Sequence, residues 1–339
     1  MSGKISSLMK KLPLMVAILL LVFSGLLFFW WKVSFQPVKK SGEPQDFLIL
    51  KGMSATQVAN KLSEEGLIKN SLAFKFYVQL TGKSKKIQSG EYSLNPSESL
   101  LEIVDSLLKG PTSVWVTIPE GLRKEEVAEK FIVGLNKEGE DADNFRKTFL
   151  NLTKEGYVFP DTYLLPKSIS AEKTVALIEN TFEKRMGSIE DDISNSNLSL
   201  SEIINIASML ERETITDEEK PVVAGILIKR WEADWPLQVD ATVQYAKASI
   251  ECARSLGDCE WWPRPLTKDD LSINSAYNTY KYSGLSPTPI SNPGIKSISA
   301  AANPEESDYW FYIHDTKGNI HYARSLEEHN FNVSKYLGK

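Results

Sequence analysis

Residues 207–214 read ASMLERET and carry two glutamates, Glu211 and Glu213, at the end of a run that is otherwise mostly apolar. An ionised, unpaired carboxylate on an apolar helix face costs several kcal/mol, so it must pair, take up a proton or line a cavity. The protonated case supplies a general acid near neutral pH. Ser199-Leu200-Ser201-Glu202 has the form of a capping box, so a helix starts there. At 100° per residue, Ile203, Ile204, Ile206, Ala207 and Leu210 share one arc, with Met209 at its margin and Asn205, Ser208 and Arg212 on the other side. Both glutamates fall at the edges of the apolar arc, about 200° apart: Glu211 between Ala207 and Ile204, Glu213 between Met209 and Ile206. They cannot act as an adjacent dyad. The pattern does not choose between them, and a solvated or ion-paired glutamate is the alternative reading of each.

The elements that position this helix read as an α+β chain. FLILKGMSATQVANKLSEEGLI from Phe47 and VWVTIPEGLRKEEVAEKF from Val114 share one order, strand, Gly turn, helix. Ile49, Gly52, Val58, Ala59, Lys61 and Leu62 align with Ile118, Gly121, Val127, Ala128, Lys130 and Phe131, a repeat at a spacing of 69 residues. The first copy continues into a helical pattern at Leu72 to Leu80, a strand at Ser89 to Leu94 and a helix at Ser97 to Leu108 capped by Ser97, stopped by Gly110-Pro111. Residues 46–110 thus form a small α+β module that resembles LysM modules, with a spacer as the plainer reading. The remainder, 111–339, is mostly helical to Trp235 and rich in Tyr, Asn, Pro and Gly from Pro236 to Gly294. It closes with a hairpin, DYWFYIH and IHYARS about DTKGN, and a last helix after Ser325.

Leu14 to Trp31 is uncharged over 18 residues, long enough to span a bilayer, and ends in Phe28, Phe29, Trp30 and Trp31. Lys4, Lys10 and Lys11 precede it, so residues 1–13 are expected on the cytoplasmic side and 32–45 form a linker beyond. A cleaved signal peptide is disfavoured, because its apolar region is shorter and no small-x-small site follows. A net charge of −5 with no long basic run argues against nucleic acid as a partner. Cys252 and Cys259 are the only cysteines; outside the cytoplasm they can close a small loop as a disulfide, with two free thiols as the alternative. The three histidines, His314, His321 and His329, would have to converge to hold a metal, and His329 falls on a separate helix.

ASMLERET, preceded by EGYVFPDTY at 155–163 and followed by LQVDATVQYA at 237–246, YNTY at 277–280, GLSPTPISNPG at 284–294 and a terminal YWFYIH…GNIHYARSLEEHN, resembles the YceG/MltG family. These are membrane-anchored endolytic murein transglycosylases. The resemblance runs from the anchor to the last helix. It implies cleavage of the MurNAc-β-1,4-GlcNAc bond within peptidoglycan strands, leaving a 1,6-anhydro-MurNAc end and terminating strand elongation, with no cofactor. In the family's A-S-x-x-E-[KR]-E-T motif the first glutamate is catalytic, which maps to Glu211 and leaves Glu213 in a supporting role. Intramolecular attack by the muramic acid's 6-hydroxyl would let one carboxylate serve as acid and then base.

Tyr277, Asn278, Thr279 and Tyr280 carry groups suited to sugar recognition, followed by Gln238 and Asp240 at an expected strand-to-helix junction and Asn292 in the SNPG turn. Tyr157 and Asp161 are weaker candidates, and each of these residues also has a turn or cap reading. The resemblance implies glycan strands, the membrane and cell-wall synthesis enzymes as partners, with the body on the extracytoplasmic face of the cytoplasmic membrane. Two alternatives stand beside it: a lysozyme-type hydrolase using a second carboxylate such as Asp240 or Glu213, and a non-catalytic wall-binding scaffold. The segment ASIECARSLGDCEWWPRPLTKDDL departs from the family pattern and would reshape a rim of the cleft.

Overall fold

A computed structural model describes residues 19–253 and 259–338, which divide into two compact units meeting at Trp115 and Val116. The class is mixed α+β. The first unit opens with a helix, α1 (residues 19–34), whose Leu19, Leu21, Phe23, Leu26 and Phe28 are all exposed. Residues 14–18 of the expected span lie outside the described residues, and among the described residues no helix is long and apolar enough to cross a membrane. There follow β1 (Gln45–Ile49), α2 (Ala55–Glu64), α3 (Ser71–Leu80), β2 (Gly90–Leu94), α4 (Leu100–Lys109) and β3 (Ser113–Thr117). β1 and β2 pair antiparallel, with Phe47 opposite Tyr92, and Glu91 of β2 faces Ser113 of β3. Phe47, Leu62, Phe74, Tyr92, Ile103 and Leu107 fill the core.

Two local expectations change here. The fourth helix is capped by Ser99 rather than Ser97, because Ser99 and Glu102 close a reciprocal capping box. Ser97 instead bonds Asn95 Oδ1 through its backbone N–H and its hydroxyl. The expected linker is laid along the module: Leu100 N–H donates to Phe35 O, Lys39 N–H donates to Pro96 O, and Asn95 Nδ2 donates to Gly42 O. Phe35 holds it there, with its ring 5.7 Å from Tyr77 and edge-on.

The second unit contains α5 (Lys124–Gly134), α6 (Gly139–Leu152), β4 (Thr162–Pro166), α7 (Ala171–Gly187), α8 (Glu190–Asn195), α9 (Leu200–Glu213), α10 (Lys220–Glu232), α11 (Asp240–Glu251), α12 (Ile295–Ala302), β5 (Phe311–His314), β6 (Ile320–Ala323) and α13 (Leu326–Leu337). β5 and β6 form the expected hairpin, with Tyr312 opposite Tyr322. The repeated phrases fold alike. Gly52 and Gly121 both take positive φ, at 88° and 76°, between a strand and a helix that buries Val58, Ala59 and Leu62 or Val127, Ala128 and Phe131.

The glutamate helix, α9, begins at the Ser199 capping box, as read from its sequence. It packs against α10, α11 and α12, so it lies inside the second unit. Its apolar arc is buried, but so are Asn205 and Ser208, which the periodicity places on the opposite side. The reason is the segment 284–294. That chain crosses the polar side of α9 and its backbone groups need partners there. Asn205 Nδ2 donates to Ser286 O at 2.7 Å, Ile290 N–H donates to Ser208 Oγ at 3.0 Å, and Ser291 Oγ donates to Ser208 O at 2.9 Å.

Candidate active site

Glu211 is held from three directions. Its Oε2 accepts from Gly294 N–H at 2.9 Å and from Ser297 Oγ at 2.7 Å, both at the start of α12. Its Oε1 lies 3.4 Å from Lys220 Nζ. Lys220 is buried at the N-terminal end of α10, where the helix dipole disfavours a cation, so it needs anions; Asp217 Oδ1 at 3.2 Å is the other. Two donors hold Oε2, whereas Oε1 has the longer Lys220 contact alone and keeps a lone pair for a proton. Gly121 turns in against the Glu211 stem: an added Cβ would lie 3.5 Å from Glu211 Cγ.

Asn292 fixes the backbone on which this rests. Its Oδ1 accepts from Gly156 N–H and Val158 N–H at 3.0 and 2.9 Å, and its Nδ2 donates to Leu122 O and Glu155 Oε1 at 2.9 and 3.0 Å. One buried amide thus ties three separate chain segments. Glu155 also accepts from Lys124 N–H, and its Oε2 is buried without a partner. Burial, followed by the nearby Glu125 charge, pushes this carboxyl up to about 8.

Glu213 points elsewhere. Its Oε2 accepts from Tyr312 OH at 3.1 Å, and burial, followed by the Asp240 charge, pushes it up to about 7. Asp240 opens α11 and accepts from Tyr280 OH at 2.6 Å; no strand precedes it, and exposed Gln238 sits at φ +55° in an irregular turn. The divergence of the two glutamates matches the helical arithmetic. Asn278 and Thr279 are fully enclosed. Asn278 Nδ2 donates to Leu271 O and Ile273 O, while Thr279 Oγ1 bonds Val239 N–H and Thr242 Oγ1, so both side chains are engaged in shaping their loop. Tyr277 OH bonds Thr288 Oγ1. Tyr277 and Tyr157 line a groove of about 630 Å³ together with Lys124, Asn205, Tyr245 and Thr288; Glu211 does not line it. Asp161 is paired with Arg185 Nη2 at 2.7 Å.

Of the departing segment, residues 254–258 lie outside those described, and the rest is built in. Cys252 and Cys259 are disulfide-bonded, with Cα atoms 5.9 Å apart, and pack against Trp261. The neighbouring Trp262 lies under the Arg212 guanidinium at 3.8 Å and donates its indole N–H to Glu126 Oε2 at 2.9 Å. The histidines diverge: His314 bonds Glu219, His321 bonds Asp315, and His329 stacks on Phe311.

The model of the YceG-like family matches residues 47–335, most of both units. The chain belongs to the YceG-like family. It is 30% identical over 338 residues to a Bacillus subtilis (strain 168) protein named endolytic murein transglycosylase, covering 91% of this chain and 90% of that one. A Streptococcus pneumoniae protein of the same name is 27% identical over 325 residues, covering 85% of this chain and 58% of the longer relative. Among solved structures, the 2.6 Å crystal structure of a putative YceG-like protein of Listeria monocytogenes superposes with a TM-score of 0.53 at 27% identity, covering 86% of this chain and 99% of that one.

Sequence reasoning missed Lys220, Gly294, Ser297 and Glu120, all of which meet around Glu211. Gly294 fell inside one quoted motif and Glu120 inside the second repeated phrase, without being singled out there. The others lie far apart in the chain, and no local pattern marks them.

Proposed function

We propose that this protein is an endolytic lytic transglycosylase of peptidoglycan, with Glu211 as its acid and base. One observation carries the assignment: Glu211 is the glutamate of the ASMLERET helix whose carboxyl is clamped on one oxygen by a backbone N–H and a hydroxyl while the other has only the longer contact from Lys220. The names of its relatives support the substrate. Glu211 Oε1–H protonates the glycosidic oxygen as the C1–O bond breaks. The same carboxylate then takes the proton of the MurNAc 6-hydroxyl as that oxygen closes on C1, which leaves the 1,6-anhydro end. The nucleophile belongs to the substrate, so proximity replaces an activated water.

The finer assignments rest on separate supports. The exposed apolar surface of α1 and its terminal Trp30 and Trp31 support a single-pass anchor on residues 14–31 that keeps the body outside the cytoplasm. The strand-helix-helix-strand order of the first unit supports a LysM-like wall-binding module at 46–110. The groove beside Tyr157 and Tyr277 suits a glycan or its stem peptide. Gln238, Asp240 and Tyr280 reach solvent far enough to serve as secondary sugar contacts, whereas Asn278, Thr279 and Asn292 act by shaping loops. Cell-wall synthesis enzymes are the natural partners of such a tethered cutter.

The test is product analysis on purified glycan strands. Mass spectrometry of the parent's digest should show anhydro-ended fragments, and Glu211→Gln, folded as the parent, should release at least about a thousandfold less. Reducing ends would favour the hydrolase reading. Binding without any release would favour the scaffold.

A further inference from the structure

Glu120 stands in the turn between β3 and α5, one residue before Gly121, and is exposed. It belongs to no helix face and forms no part of the Asn292 network. Its carboxyl nevertheless packs directly over Gly294. A Cβ added to Gly294 would collide with Glu120 Oε1 and Cδ, and the N–H of the same Gly294 donates to Glu211 Oε2. Two carboxyls therefore converge on one glycine, one through its backbone N–H and the other across its missing side chain. Gly294 has φ −77°, which any residue adopts, so backbone conformation does not require glycine there. What requires it is room for Glu120.

We infer that Glu120 is a second catalytic residue, the carboxylate that faces C1 and stabilises the positive charge developing there while Glu211 protonates the leaving oxygen. This rests on the assignment of Glu211 as the acid. A glycosidic bond breaks through an oxocarbenium-like state, and a fixed negative charge beside C1 is the group a single-acid site otherwise lacks. Glu211 is clamped and largely enclosed, with 9% of its side chain accessible, whereas Glu120 is exposed beside the same Gly294, where a strand can meet both. Partial burial, followed by the Glu211 charge, pushes the Glu120 carboxyl up, and the Lys220 charge opposes both by favouring its ionised form. Glu120 forms no covalent bond here, because the 6-hydroxyl is the nucleophile; its contribution is electrostatic.

The test uses the full-length chain in detergent on purified glycan strands. Glu120→Gln should lower kcat by about a hundredfold with KM within about twofold. Gly294→Ala should push the carboxyl aside and lose at least as much rate, since the same residue also holds Glu211 Oε2. Formate should restore part of the rate of Glu120→Ala and none of that of Glu211→Gln. Glu120→Gln within threefold of the parent, a loss carried by KM, or no response to formate would each overturn the role of Glu120. If the parent itself cut nothing, the Glu211 assignment would fail first.

Discussion

Glu155 shows how much a single enclosed carboxyl can govern. Its value of about 8 in the folded chain, against an ordinary 4.5, means that between those pH values the native state holds a proton the unfolded chain has lost. Stability is therefore undiminished by this group below about 4.5, declines as pH rises toward 8, and stays at the lower level above that. Glu155→Gln keeps an oxygen for Lys124 N–H and Asn292 Nδ2 but cannot ionise. Its melting temperature should fall less than the parent's between pH 5 and pH 8.5, and a parallel decline in both would refute the role. The ASMLERET carboxyls were legible at this scale because a rotation of 100° per residue is local geometry. Nothing local reveals that Glu155, in a stretch that reads as a turn, is deeply enclosed, since that depends on an amide 137 residues away.

At the scale of elements, α9 and the segment 284–294 act as one body. Periodicity found the helix, its cap and its apolar face, and turn chemistry found the terminal hairpin. Both failed at Asn205 and Ser208, because the partner that encloses them has no period of its own: GLSPTPISNPG is irregular chain whose backbone groups borrow side chains from the helix. Asn292 holds that segment with four hydrogen bonds, two donated and two accepted. Asn292→Ala leaves backbone donors and acceptors unpaired inside the protein and should destabilise the second unit by about 3 kcal/mol or more in urea denaturation. A change under about 1 kcal/mol would mean that water takes over these partners.

For the molecule as a whole, the class was readable from the alternation of strand and helix patterns, and the repeated strand, Gly turn and helix recur at β1–α2 and β3–α5. The site was readable only to its central glutamate, because the residues that complete it come from α10, α12 and the turn after β3. Deleting residues 1–45 should move the protein from the membrane to the soluble fraction while cleavage of purified strands persists; a truncated protein that still pelleted with membranes would rule out α1 as the sole anchor. The hydrogen bonds that orient Glu211 span 83 and 86 residues, and the Asn292 contacts span up to 170. Contacts so distant in sequence close late, since the intervening chain must first be gathered in. The consequence concerns timing. A chain made from its N-terminus presents Glu211 long before Gly294 and Ser297 exist to aim it, so this carboxyl stays unoriented until residues 294–297 have emerged.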